Sequence, residues 1–308
     1  MPRLPALKIT VVVAAGILAS ASRAGAQQDL GHNVLGTIGL KAGAVPPSGL
    51  YVQDAFFFYT ADHLVDRRGD AIPVSLSLKV LTNAAGAGGT FEAKRIKTWF
   101  SFAFAVPIAR VRATSDLPEA SLDRFGIGDV YVKPLQLGWR PPGVDILVAY
   151  GFYIPMHHFE PGPRGGVSTA QWTNQFSLGG TVYKDIGEKA RLHVSALASY
   201  DNYLQKLGID LTRGDIVQLQ GGVGVTVRKI LDAGFTAGSL WQVRDDRGSA
   251  LPAVLRGTRD QAVGLGPEVA VTIPVIRTRV LVRYEHDVRA RTRPLGQLLF
   301  LSAAVKVW

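Results

Sequence analysis

Apolar and polar side chains alternate along most of this chain after Gln27. Val217, Leu219, Gly221, Val223, Val225 and Val227 form one face of a segment whose other face reads Gln218, Gln220, Gly222, Gly224, Thr226 and Arg228. A period of two is strand geometry, because successive side chains point to opposite sides of a pleated backbone. Phe100, Phe102, Phe104, Val106 and Ile108 make a second apolar face. Val263, Leu265, Val269, Val271 and Ile273 oppose Glu268 and Thr272; Val280, Val282, Tyr284 and Val288 oppose Arg279, Arg283, Glu285 and Asp287. The pattern predicts about twelve strands. They fall near 50–60, 73–82, 97–112, 127–139, 144–155, 173–184, 190–203, 215–229, 233–245, 261–273, 278–288 and 297–308. No helical period competes with them.

Connection lengths turn strands into an architecture. Trp139 to Val144, Lys184 to Ala190, Arg228 to Ala233 and Ile273 to Thr278 are short links. Asp62 to Ile72, Ser115 to Gly126, His157 to Gln171, Leu204 to Gly214, Asp246 to Asp260 and Arg289 to Gly296 are longer. Short and long alternate, as in a transmembrane up-and-down barrel with tight periplasmic turns and extended outer loops. Thr82 to Lys97, through a run of Ala and Gly, breaks the alternation: it implies a hidden strand or an insertion. The expected fold is therefore all-β, an antiparallel barrel of about twelve strands. Closure is required, because an unpaired backbone N–H or C=O in hydrocarbon costs several kcal/mol.

The start of the chain sets the compartment. Arg3 and Lys8 precede an apolar run from Ile9 to Ala19, and Ala24-Gly25-Ala26 has the form of a cleavage site. Residues 1–26 read as an export signal, too short for a spanning helix. The barrel then occupies 27–308, with 27–48 left as a periplasmic segment or a plug of the lumen. The expected location is the bacterial outer membrane. The chain has no cysteine, so neither disulfides nor a lipid-anchoring cysteine enters. Aromatic residues at strand ends (Tyr51, Tyr59, Trp99, Tyr131, Trp139, Tyr153, Trp172, Tyr183, Tyr200, Tyr203, Trp241 and Trp308) are expected to form interfacial girdles. Trp308 also closes the last strand, where barrel-assembly machinery is expected to engage.

Four stretches share a further feature. Gly49-Leu50-Tyr51 follows Pro46-Pro47. Gly126-Ile127-Gly128-Asp129-Val130-Tyr131-Val132-Lys133-Pro134 leads to Leu137-Gly138-Trp139. Gly151-Phe152-Tyr153-Ile154-Pro155 precedes a Gly-rich loop, and Gly264-Leu265-Gly266-Pro267-Glu268 comes last. In this order they resemble the outer-membrane family labelled "MetA-pathway of phenol degradation". The resemblance implies a transporter of aromatic or other apolar molecules. One departure stands out: where the family has Thr-Gly after the proline of the third stretch, this chain has Met156-His157.

Charge then suggests chemistry. Asp129 and Lys133 share a strand face, and Glu268, Arg283, Glu285, Gln218 and Gln220 also fall on expected lumen faces. An Arg or Lys facing lipid at mid-membrane costs about 2–4 kcal/mol, so these charges should point inward. There they could select solutes or merely stiffen the barrel. The net charge is +10, with much of the excess in expected loops: Arg67, Arg68, Arg164, Lys206, Arg213, Arg244, Arg247, Arg256, Arg259, Arg289, Arg291 and Arg293. Their expected partner is outer-membrane lipid and lipopolysaccharide, with capture of anionic aromatic acids as the rival. No nucleic-acid-binding motif accompanies the charge. His157 and His158, with Glu160 nearby, suggest zinc, but adjacent side chains on an extended chain point apart and no third ligand is visible, so no metal or cofactor is expected. His193 and Ser195 share a lumen-facing parity, yet no G-x-S-x-G occurs. A solute-passing channel is the leading expectation. A lipid-hydrolysing barrel and a plugged structural barrel are the alternatives.

Overall fold

The computed structural model describes residues 31–32, 34–116, 121–160 and 165–308. The export signal expected over 1–26 and Arg164 lie outside them. The described residues form thirteen strand segments: β1 Gly49–Leu64, β2 Leu76–Ala93, β3 Thr98–Ser115, β4 Leu122–Ile127, β5 Val130–Trp139, β6 Val144–Ile154, β7 Thr173–Ile186, β8 Ala190–Tyr203, β9 Ile216–Val227, β10 Leu231–Gln242, β11 Gln261–Ile273, β12 Thr278–Arg291 and β13 Pro294–Lys306. β4 and β5 both pair with β3 and are two halves of one wall strand, broken at Gly128-Asp129. The barrel thus has twelve wall strands, all antiparallel to their neighbours. β1 closes it by pairing with β13 from Tyr51↔Lys306 to Leu64↔Pro294. Among the described residues only β4, at the outer rim, pairs on one side alone; every other wall strand has a neighbour on both sides, which is the condition for sitting in lipid.

Burial is inverted relative to a soluble protein. Phe235 is 68 % exposed and Glu268 only 2 %. Phe104, Ile108, Phe176, Leu178, Val223, Val269 and Val282 face outward, while Gln218, Gln220, Asp232, Arg283 and Glu285 face inward. An apolar exterior around a polar interior is what hydrocarbon outside and water inside select. The end at which β1 begins and β13 finishes has the short turns, 94–97, 140–143, 187–189, 228–230 and 274–277. That end is the periplasmic one by the turn-length rule of such barrels.

Two expected connections change. The Ala/Gly run is not an insertion: β2 continues through it to Ala93, paired with β3 from Leu76↔Ser115 to Ala93↔Thr98. Residues without bulk carry almost no periodic signal, so the strand was hidden. The link from Arg289 to Gly296 is not long either. β12 runs to Arg291 and β13 begins at Pro294, leaving Thr292-Arg293 as the turn.

Candidate functional site

The polar half of the lumen is not open. Residues 31–32 and 34–47 run along it and are held by backbone contacts far apart in sequence. The Gly36 N–H donates to Gln220 Oε1 at 3.2 Å, Leu40 N–H to Glu268 Oε2 at 3.0 Å, Gly43 N–H to Ser195 Oγ at 3.0 Å and Val45 N–H to Asp145 Oδ2 at 3.0 Å. In return Arg283 Nη1 donates to the Gly36 carbonyl at 2.6 Å, and Arg140 Nη2 to the carbonyls of Val45 and Pro46 at 2.5 and 2.8 Å. Lys41 Nζ lies 2.8 Å from Asp232, a carboxylate that also takes Arg279. Buried N–H and C=O groups must find partners, and here the wall supplies them one after another.

The wall is also shaped for this segment. Leu40 is wholly buried, and its side chain and backbone lie where side chains at Gly222, Gly224 and Gly234 would stand. At the periplasmic half, Gly43 meets Gly180 backbone to backbone: a Cβ added at Gly43 would fall 2.2 Å from the Gly180 nitrogen. The Gly180 backbone cannot yield without breaking its ladders to β6 and β8, so the segment must move. The Gly43→Val variant is therefore expected to lift the segment off the wall, at a cost of about 1–3 kcal/mol. Limited proteolysis should cut between residues 31 and 47 faster than in the parent; equal cutting rates would show that the close approach is dispensable.

The seven residues expected in the lumen all point into it, but they divide. Gln218, Gln220, Glu268, Arg283 and Glu285 are at most 4 % exposed and sit behind the segment. Arg283 Nε donates to Glu268 Oε2 at 2.7 Å, Gln220 Nε2 to Gln218 Oε1 at 2.9 Å, and Thr236 Oγ1 to Glu285 Oε2 at 3.3 Å. Only Asp129 and Lys133 border open space. They do not pair with each other, because the break before β5 and the bulge at Val132/Leu135 turn them apart. Lys133 Nζ donates to Gln136 Oε1 at 2.8 Å. Asp129 lies 2.5 Å from His32 Nε2, accepts from Thr169 N–H at 3.0 Å and is joined by the Ser168 hydroxyl. It thereby ties the segment to the outer loop over 165–172.

Sequence reasoning missed Asp145, Asp232, Arg140, His32 and Lys41. Strand parity could have found the first two, since Asp232 shares the inward face of β10 with Thr236. Nothing in the sequence marks His32 or Lys41. His193 and Ser195 do face inward, but no hydrogen bond joins them; both His193 ring nitrogens lack a hydrogen-bond partner in the structure. His157 and His158 lie against different loops, near Gly166 and Gly208 respectively. Among the described residues no three His, Asp or Glu side chains gather as a metal site.

Six aromatic residues expected in the girdles are lumenal. Tyr51, Tyr59, Tyr131, Tyr153 and Tyr183 border the cavity and Tyr203 is buried. His32 stacks on Tyr153 at 4.1 Å, and Tyr131 Oη donates to Gln175 at 3.0 Å. A strand-end position says nothing of which side a ring takes; parity decides, and these fall inward. Trp172, Trp241 and Trp308 remain outside. Three of the basic loop residues also turn inward: Lys206, Arg213 and Arg293 are buried, Arg213 against Asp260 at 2.8 Å.

Opposite the segment the lumen is apolar. Ala55 and Phe57 of β1, Leu78, Val80, Ala84 and Gly86 of β2, and Ala103, Ala105, Pro107, Ala109 and Val111 of β3 line a cavity of 2170 Å³. The cavity touches Val74, Leu122 and Val167 at the outer end and Glu188, Lys229 and Arg277 among the periplasmic turns. Its outer mouth is flanked by folded loops in which Leu211, Leu251 and Leu255 pack together with Phe159 and Ile209. Asp210 in these loops is held below the usual carboxylate range by the Ser249 hydroxyl and N–H, at 2.7 and 2.8 Å.

Comparison with known proteins agrees with this architecture. The family model described as "Putative MetA-pathway of phenol degradation" matches residues 61–303. An outer membrane channel from Pseudomonas putida F1 superposes with a TM-score of 0.71 at 13 % identity, covering 89 % of this chain and 99 % of that one. The β domain of the Bordetella autotransporter Brka superposes with a TM-score of 0.50 at 11 % identity, covering 84 % and 100 %. At these identities the likeness is one of fold. No curated protein matches the sequence.

Proposed function

Because the chain belongs to the family of the MetA-pathway of phenol degradation, with an outer-membrane barrel fold, we propose that it passes a small apolar or aromatic solute across the outer membrane. The path runs between residues 31–47 and the inner face of β1–β3. One observation carries this reading: the only extended apolar lumen surface among the described residues lines a cavity that reaches both ends of the barrel. Such a surface gives water-soluble solutes few hydrogen-bond partners, Thr82 alone interrupting the inner face of β2 from Leu78 to Gly88, whereas an aromatic ring loses little by leaving water there. Lys133 and Arg140 at its margin could orient a phenolic or carboxylate oxygen, since both border the same cavity.

Cells lacking this chain should take up an aromatic solute more slowly than complemented cells, while uptake of a sugar of similar size stays unchanged. If the sugar showed the larger difference, the apolar path would be wrong.

A further inference from the structure

On the lipid-facing side of the outer rim the exterior stops being apolar in one place. Trp241 of β10, Gln261 of β11 and Arg291 of β12 form one rung across three strands, and Val263 and Arg289 form the next. All five line a cleft of 230 Å³ on the outside of the wall. Their inward neighbours Ala262 and Ala290 are buried, which confirms that the five point outward.

A β-bulge makes this arrangement. The register between β11 and β12 shifts at Val263/Gly264, so Val288 and Arg289 are both exposed and the parity of β12 reverses above them. Without the shift, Arg289 and Arg291 would follow Asp287 into the lumen. Bulges re-aim side chains in this way.

The two guanidinium groups lack the partners that other basic residues of this rim possess. Arg259 has Asp245 at 2.7 Å, Arg244 has Asp215 at 3.1 Å and Arg213 has Asp260. Neither Arg289 nor Arg291 meets a carboxylate among the described residues, and the buried Nε of Arg291 has no hydrogen-bond partner. Below the cleft the exterior is Leu265, Val269, Val280 and Val282, the surface of the hydrocarbon band. The cleft therefore sits where lipid headgroups begin, with an indole at its side as interfaces favour.

We propose that this cleft binds the phosphate of an outer-leaflet glycolipid. Two guanidinium forks two residues apart on one strand can each present paired N–H groups to phosphate oxygens. Gln261 adds an amide donor, and Trp241 and Val263 cover the sugar or acyl stem. The site is separate from the solute path and does not depend on it.

The test uses the purified full-length barrel in zwitterionic detergent, titrated with diphosphorylated lipid A and followed by native mass spectrometry. Retention of the lipid is expected, with at least about tenfold weaker retention of dephosphorylated lipid A. The R289Q/R291Q variant, shown to be folded by its heat-dependent gel shift, should lose about 10- to 100-fold in affinity. R289K/R291K, which keeps the charge but not the forks, should fall between. Equal binding of the phosphorylated and dephosphorylated lipids would overturn the proposal, and that comparison needs no variant. Competition by inorganic phosphate as effective as the lipid itself would also overturn it, by marking a free-anion site.

Discussion

Uptake of aromatic solutes should fall about tenfold or more in the Ala105→Trp variant, equivalent to roughly 1.4 kcal/mol or more on the barrier to passage. Ala105 sits on the inner face of β3, directly across from Gly86 of β2, with Ala103 and Gly88 as the neighbouring pair. This is the smoothest stretch of the apolar wall. An indole there takes up the space in front of Gly86 and Gly88, where the wall itself contributes no side chain to the cavity. The outward neighbour Val106 is 36 % exposed on the lipid side, so Val106→Trp adds the same bulk where it faces lipid. Uptake by that control should match the parent. If both variants transport normally while folded, the solute does not travel along β1–β3.

Removing residues 31–45 should produce the second large effect, a several-fold rise in ion conductance across planar bilayers. The deletion uncovers Asp145, Ser195, Asp232, Glu268 and Arg283, which now bind the segment. The lumen then becomes wide and polar along β6–β12, and sugars that the parent excludes should pass. It also removes the buried Leu40, whose packing alone contributes about 1.5–3 kcal/mol, so the barrel should unfold at lower denaturant. The two readouts separate cleanly: lowered stability without a conductance change would mean that the segment braces the barrel but does not occupy its path.

The two predictions pull in opposite directions on one cavity. The first narrows the apolar side and stops an apolar solute; the second opens the polar side and admits hydrophilic ones. On this view the segment is what makes the passage apolar, because it satisfies the polar wall and turns Val34, Ile38, Ala44 and Val45 toward the cavity.

Strand number, strand order and the side each residue faces were legible along the chain. Val223 outward and Gln220 inward follow from a period of two, which is a local property of a pleated backbone. The same rule placed Glu268, Arg283 and Glu285 inside. It failed where side chains vanish, as in the Ala/Gly run of β2, and it stopped the twelfth strand at Val288, so that Arg289 and Arg291, which β12 carries, were expected in a loop. Strand-end position alone put Tyr153 and Tyr203 at the interface, whereas their parity places them in the lumen.

What fills the barrel was decided only by the tertiary structure. Residues 31–47 take irregular turns, and their partners lie across the barrel: Gly36 meets Gln220 and Arg283, and Leu40 meets Glu268. A segment held by donors and acceptors so distant in sequence leaves no periodic trace of its own. The polar wall likewise cannot announce whether water, a solute or the chain's own backbone will satisfy it. Folding settles that by bringing glycine-sized spaces and matching hydrogen-bond partners to the same place.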